Sequence, residues 1–355
     1  MIITKKSKLY TDLDHAHESH KLSTNDLSQN LIVTFTSIEK FSISDLNLTN
    51  SSQLYPFLEP AYLQLFHDSF HVNAWELKVF IGDDQLVQGY FERNGSEVLL
   101  LGMKPVLNGQ EITDYGDLIY SDYISKDIAA LNLLWDKILA HLSTLGITNL
   151  RLDYVRFDSP TYSALSQSSN NIEITKQEVA PYINLKNDFQ THLEQINKKD
   201  RQELQRKLRR LASVPYLFLL VNDPSKFEIE EFIRLLRLSD INKDKFMSEP
   251  MAEYFKKLIA LKLNYWKIKL AFLKIEAKYA AAIMIFDNGK EILGYNSGFD
   301  PLFNYYSPGL MLKSLLLKWA MEGNYEKFDT LRGSERYKYD LGAVEAQLYK
   351  LQIKL

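Results

Sequence analysis

The chain has 355 residues, 46% of them hydrophobic and 25% charged, with a formal net charge of −3. This is ordinary globular composition, long enough for two domains, and the near-neutral balance excludes a nucleic-acid footprint spread over the whole molecule. Cysteine is absent, which excludes disulfides, thiolate nucleophiles and cysteine-ligated metal sites.

Residues 1–30 are polar and read as a mobile N-terminus. His15, His17 and His20 suit a metal ligand set, but a polar tail with scattered histidines accounts for them more simply. Met1 to Lys6 lack the apolar run of a signal peptide. The longest apolar runs, such as 216–221, are strand-length. A cytoplasmic protein without a membrane span is therefore expected. A helix is predicted over 54–70. His67 and His71 lie on it four apart, but no HExxH pattern surrounds them, so no metal site is expected.

Strands follow near 75–80, 86–92 and 97–101, separated by the turn signals Gly82-Asp83-Asp84 and Arg93-Asn94-Gly95, as in an antiparallel meander. After Asp114-Tyr115-Gly116 comes a helix over 127–145, with Leu131, Leu134, Ile138 and Leu142 along one face. Gly146 ends it and a strand runs over 147–154. The second half repeats this order. Helices are predicted at 225–240 and 249–263. Strands are predicted at 266–275, 279–286 and 290–296, then a helix from Pro308 to Met321, Gly323, and a strand over 327–331. The repeat suggests an internal duplication. A boundary near 176–187 gives two mixed α/β domains, 31–178 and 179–355. Early in the second lies a strongly basic helix, 198–211, whose Leu204, Leu208 and Leu211 form one apolar stripe. It reads either as a contact for phosphate, nucleotide or tRNA, or as a solvated face whose arginines pair with nearby carboxylates.

Three segments concentrate chemistry in the second half. They are Tyr295-Asn296-Ser297-Gly298-Phe299-Asp300, Ser307-Pro308-Gly309, and Phe328-Asp329 through Arg332-Gly333-Ser334-Glu335-Arg336-Tyr337-Lys338. Two strand ends and a helix start meet there, and backbone N–H groups at a helix start favour an anion. With the basic helix, these segments resemble in order and spacing, over roughly 185–345, the GNAT-type acetyltransferases of the CelD-like, cellulose-biosynthesis-associated group, relatives of the Fem peptidyltransferases. Asp114-Tyr115-Gly116 is similar to that group as well.

The resemblance implies tandem GNAT-like domains, each a mostly antiparallel mixed sheet flanked by helices. It implies acyl transfer from acetyl-CoA or another acyl-CoA to a small-molecule or peptide amine. Transfer from aminoacyl-tRNA, or a catalytically inactive binding protein, are the alternatives. One departure stands out. Most GNAT enzymes hold the coenzyme A pyrophosphate on an Arg/Gln-x-x-Gly-x-Gly/Ala loop, where this chain has Asn304-Tyr305-Tyr306-Ser307-Pro308-Gly309, with one glycine and no arginine.

Amine acylation needs a base, a donor to the tetrahedral oxyanion, and a proton or positive field for the leaving thiolate. Asp300 and Glu335 are the candidate bases, Tyr337 the candidate acid, and Lys338 a candidate for stabilising negative charge. Asn296, Ser297, Gly298, Ser307, Gly309 and Arg332 are the candidate carrier-binding residues. Each has a plainer reading: Asp300-Pro301 is a common turn pair, Arg332 and Glu335 suit an ion pair, and Tyr337 suits packing.

Overall fold

The computed structural model describes residues 30–43, 54–168, 171–185 and 188–355. The expected mobile segment 1–30, with its three histidines, lies outside the described residues except for its last position. Two mixed sheets form the frame. The first contains β1 (Leu31–Ser37), β2 (Ala74–Ile81), β3 (Asp84–Asn94), β4 (Glu97–Leu100), β5 (Ile119–Tyr120), β6 (Asn149–Arg156) and β7 (Ile172–Val179). The second contains β8 (Tyr182–Asn184), β9 (Tyr216–Val221), β10 (Lys267–Ile275), β11 (Lys278–Asp287), β12 (Glu291–Phe299) and β13 (Lys327–Asp329). The last strand of the chain, β14 (Gln347–Lys354), inserts into the first sheet between β6 and β7.

Both sheets have one strand order. In the first, β1, β2, β3 and β4 are antiparallel neighbours, β4 runs parallel to β6, and β14 closes antiparallel on β6. In the second, β9, β10, β11 and β12 are antiparallel neighbours, β12 runs parallel to β13, and β8 closes on β13. The duplication expected from the repeated order of elements is thus a repeated topology. The sixth strand of the first sheet, β14, crosses from the end of the chain, whereas that of the second, β8, comes from the start of its own segment. The expected segments 31–178 and 179–355 follow the sheets except at β14, whose pairing with β6 joins residues about 200 apart.

The helices are α1 (Pro60–Phe70), α2 (Ile128–Thr144), α3 (Pro160–Leu165), α4 (Phe189–Gln195), α5 (Lys198–Leu211), α6 (Lys226–Ser239), α7 (Ile241–Phe246), α8 (Glu249–Ile259), α9 (Pro308–Glu322) and α10 (Arg336–Asp340). Each parallel pair needs a crossover, and α2 and α9 supply them. The Asp127 side chain accepts from Ala130 N at the start of α2, and Ser225 with Glu228 forms a capping box on α6. Strand β11 is buried along nearly its whole length, because α6 and α9 both pack on it. Its run Ala-Ala-Ala-Ile-Met-Ile-Phe is therefore apolar on both faces.

Some boundaries differ from the sequence-based expectation for local reasons. The helix expected over 249–263 stops at Ile259. The chain beyond it turns so that Asn264, Tyr265 and Trp266 donate their backbone N–H groups to the buried Glu59 carboxylate. That carboxylate docks the first half on the second, beside Phe57 packed edge-on against Phe286 at 5.6 Å. The strand expected over 327–331 ends at Asp329, because Leu331 takes a left-handed conformation with φ of 57°. His71 ends α1 in the same conformation, and the His67 ring lies 5.8 Å from that of Phe41. Among the described residues no helix is long and apolar enough to cross a membrane.

Candidate active site

Strands β12 and β13 pair over only three positions, Glu291 with Lys327, Ile292 with Phe328 and Leu293 with Asp329. Beyond these the two chains part. A bulge in β12 adds to the opening: Gly294 faces Ile285 and Ser297 faces Ile283, so Tyr295 and Asn296 share the place opposite Met284. The parted strands open a cavity of about 550 Å³, lined on this side by Tyr295, Asn296, Thr330, Leu331 and Arg332. Helix α7 supplies a second wall through Lys243 and Phe246, α10 and its N-cap a third through Glu335, Tyr337 and Lys338, and the first half a fourth through Glu111 and Asp114.

The first-half wall is fastened by Arg332. Its Nη1 lies 2.7 Å from Glu111 and its Nε 3.0 Å from Asp114, and its guanidinium lies 3.8 Å from the Tyr154 ring centroid. Burial works against the Glu111 charge, but hydrogen bonds from Arg332 and Tyr154 outweigh it and hold the carboxyl below its usual value. At Asp114 burial wins, and the carboxyl is pushed up despite Arg332. Next to this clamp, Tyr115 donates to Asp329 at 2.6 Å, and Arg156 reaches the same carboxylate at 3.5 Å. The Asp114-Tyr115-Gly116 segment therefore joins the halves.

Five of the expected site residues meet at the cleft: Asn296, Arg332, Glu335, Tyr337 and Lys338. Arg332 is not paired with Glu335. It faces Glu111 and Asp114, and Glu335 instead lies 3.0 Å from Lys338 with its side chain more than half exposed. Lys338 is 1% exposed, and its ammonium also donates to the carbonyls of Leu331, Arg332 and Gly333 at 2.7–3.0 Å. Its hydrogens are thus taken up in holding the turn, and what it offers the cleft is positive field and not a free hydrogen. Burial, and then the Glu335 charge, push the Tyr337 hydroxyl well above its usual value, so it keeps its proton.

The other candidates lie elsewhere. Asp300 caps the 3₁₀ turn Pro301–Tyr306, accepting from Leu302 N at 3.0 Å, and lies 3.6 Å from Arg234 in a separate hollow. It is the turn-capping reading of Asp300-Pro301 that the geometry matches. Gly298 is paired opposite Ala282, and a Cβ there would lie 2.4 Å from Leu235 O, so this glycine admits α6 to the sheet. Ser307, in a left-handed conformation, and Gly309, packed on Phe299, open α9 without lining the cavity. Ser297 lies just behind the wall: its carbonyl accepts from Lys243 and its hydroxyl from Lys313 at 2.9 Å.

Lys243 and Lys313 were not singled out in the sequence. Helix α7 is too short to carry a periodic signal. Lys313 did carry one, as the single charge in the apolar run Leu310-Met311-Leu312-Lys313-Ser314-Leu315-Leu316-Leu317. The basic helix α5 lies outside the cleft, against the loop at the start of α9. Arg210 donates to Tyr305 O at 2.6 Å and stacks on its ring at 4.3 Å. Arg210 thus stands beside the 304–309 loop, which has no arginine of its own.

Residues 198–339 match the family model "Acetyltransferase (GNAT) domain". The GNAT match spans α5 to α10 and contains the parted strands. No curated protein matches the chain by sequence. Among solved structures the chain is similar to FemX, with a TM-score of 0.58 and 11% identity over 90% of this chain and 98% of that one. It is also similar to L-PGS from Bacillus licheniformis, with a TM-score of 0.54 and 14% identity over 83% and 92% of the two chains. A conserved protein of unknown function from Bacteroides thetaiotaomicron VPI-5482 gives a TM-score of 0.54 and 11% identity over 89% and 100%. At these identities the likeness is one of fold, and two mixed sheets flanked by helices are common to the comparison and to the expectation.

Proposed function

We propose that the protein is an N-acyltransferase of the CelD-like kind that moves an acyl group from acyl-CoA directly to an amine held in the cleft between the halves. The observation that carries this reading is the parting of β12 and β13 inside the GNAT match, with a carboxylate, a protonated phenol and fixed positive charge around the opening. The amine nitrogen attacks the thioester carbonyl carbon. The C–N bond forms, the C–S bond breaks, and the thiolate leaves. Glu335, reachable by solvent, takes the amine proton directly or through water. Tyr337 is the group that can return a proton to the thiolate. Lys338 supplies positive field to the oxyanion. At the outer end, Arg210 and the start of α9 offer the carrier phosphates a cation and backbone N–H groups.

The test is release of thiol from acetyl-CoA and longer acyl-CoAs in the presence of a panel of amines. The chain has no cysteine, so a thiol reagent reads the released carrier without background from the protein. Glu335→Gln should lower turnover at an unchanged unfolding midpoint. Absence of thermal stabilisation by every acyl-CoA would move the reading to its alternatives. Of these, transfer from aminoacyl-tRNA is favoured by the outer face of α5, where Lys198, Lys199 and Arg209 are exposed. Stabilisation by aminoacyl-tRNA and not by acyl-CoA would select it. Silence with all carriers would select a binding protein.

A further inference from the structure

The charges around the cleft do not balance group by group. Arg332 is matched by Glu111 and Asp114, and Lys338 by Glu335. Two further ammonium groups stand at Ser297 without an ion pair among the described residues. Lys243 lines the cleft from α7 and donates to Ser297 O. Lys313, 7% exposed, comes from the second turn of α9. It donates to Ser297 Oγ and rests 4.4 Å from the Tyr337 ring centroid. Of the two carboxylates nearest Lys243 in the chain, Asp240 is occupied in capping α7 through Asn242 N and Lys243 N, and Asp244, exposed in the first turn, forms no ion pair with Lys243 among the described residues. Each ammonium has three hydrogens and one acceptor within the protein. Two lysines gathered at one residue, Lys313 buried and Lys243 half-buried, are costly when under-satisfied unless something anionic completes them.

We infer that Lys243 and Lys313, gathered at Ser297, form an anion subsite of the cleft, so that the acceptor is an amine that also carries a small oxyanion group, a carboxylate or a phosphate. Lys243 contacts that group from the wall, and Lys313 adds its charge from one layer behind. The inference rests on the acyltransferase reading for the word acceptor, but the subsite itself does not.

The empty subsite has a consequence for pH. Burial, followed by the neighbouring charge of Lys243, brings the Lys313 ammonium down to about 7. Burial also lowers Lys243, against Asp240 and Glu335. The charged and titratable groups facing Lys313 are Lys243 on α7, and Glu335, Tyr337 and Lys338 at α10. An incoming anion favours the charged form of Lys313, so binding should take up a proton and weaken as pH rises through about 7.

The experiment is thermal unfolding of the full chain with ~10 mM inorganic phosphate or N-acetylglycine, at constant ionic strength, near pH 6 and near pH 8. The phosphate and carboxylate arms separate the two sources of the oxyanion. At least one of them should raise the midpoint near pH 6, and less so near pH 8. Lys243→Met should weaken that anion by about tenfold or more, and Lys313→Met should weaken it and remove the difference between the two pH values. Lys318→Met, an exposed lysine on the same helix paired with Glu322, should leave the shift intact. The readout is the shift on adding anion, so a change in starting stability does not confuse it. Equal shifts in all three variants, or no shift with either anion, overturn the inference. Anion binding without acyl transfer to any amine keeps the subsite and sinks the acyltransferase reading. Transfer to plain amines with no anion shift does the reverse.

Discussion

The two sheets repeat one strand order, yet only one of them opens. In the second sheet the gap beyond the β12–β13 pairing is the cleft. In the first sheet the corresponding gap lies beyond the pairing of Glu97, Val98 and Leu99 with Asn149, Leu150 and Arg151. There the chain itself fills it: Gly116 N donates to Tyr154 O, and a Cβ on Gly116 would come 2.4 Å from Asp153 O. The connection lengths explain the difference. Between β4 and α2 the chain is long enough to fold back through the gap, whereas between β12 and α9 it makes only one 3₁₀ turn. The repeated frame thus has one filled and one open copy. The filled copy became a wall of the open one, because Glu111 and Asp114 leave the filling segment to meet Arg332.

The largest expected effect comes from breaking that wall. Arg332→Met leaves three carboxylates, Glu111, Asp114 and Glu178, without their cation, and Asp114 among them is mostly buried. A loss of about 3–5 kcal/mol is expected, read as a lower urea midpoint. An unchanged midpoint would show that the halves are held together elsewhere, through Glu59 and Phe57. Next in size is the filling itself. Gly116→Ala forces a Cβ against backbone and should cost about 1–3 kcal/mol. Gly294→Ala, in the open copy, meets side chains and no backbone, the Phe328 ring at 3.1 Å and Ile283 Cδ1 at 3.4 Å, and should cost less. Equal costs at the two glycines would contradict the filled-versus-open contrast.

The sequence made the frame legible because its signals are local. Meander turns such as Asp287-Asn288-Gly289, the apolar face of α2, and the glycines after α2 and α9 each act over a few residues. The destination of β14 was not legible, since pairing Leu351 with Leu152 is a property of the folded sheet. The site divides in the same way. Glu335, Tyr337 and Lys338 sit close together in the chain and reach the cleft together. Arg332 was read as a carrier contact because its partners, Glu111 and Asp114, lie more than two hundred residues away. Asp300-Pro301 fitted both a base and a turn, and only the donated Leu302 N–H distinguishes them.

An effect spread thinly over several pH units tests the open copy. With Lys313 near 7 in the folded chain and 10.5 as its ordinary value, the unfolded chain holds a proton that the native state gives up across this window. Stability carried by this group should therefore rise with pH from about 7 to about 10, by at most about 1.4 kcal/mol per pH unit. Below about 7 both states are charged and the slope vanishes. Lys313→Met should remove the rise. Parallel stability curves for wild type and variant would place Lys313 in a more solvated setting than the packing around Ser297 and Tyr337 provides.

The smallest effect separates the two carboxylates that the sequence could not rank. Asp300→Ala removes the acceptor for Leu302 N and a long contact to Arg234, so it should cost about 1 kcal/mol, the usual scale for a lost cap. Its side chain faces a different hollow from the cleft, so turnover per folded molecule should be unchanged. Glu335→Gln should show the opposite pattern. Its carboxylate is half in solvent and touches only Lys338, so the fold loses little, but an amide cannot accept the amine proton. Measured together, urea midpoint and turnover place each variant on one of two axes. If Asp300→Ala abolishes turnover while Glu335→Gln is silent, the reacting amine enters beside α6, and the open gap between β12 and β13 serves only to hold the carrier.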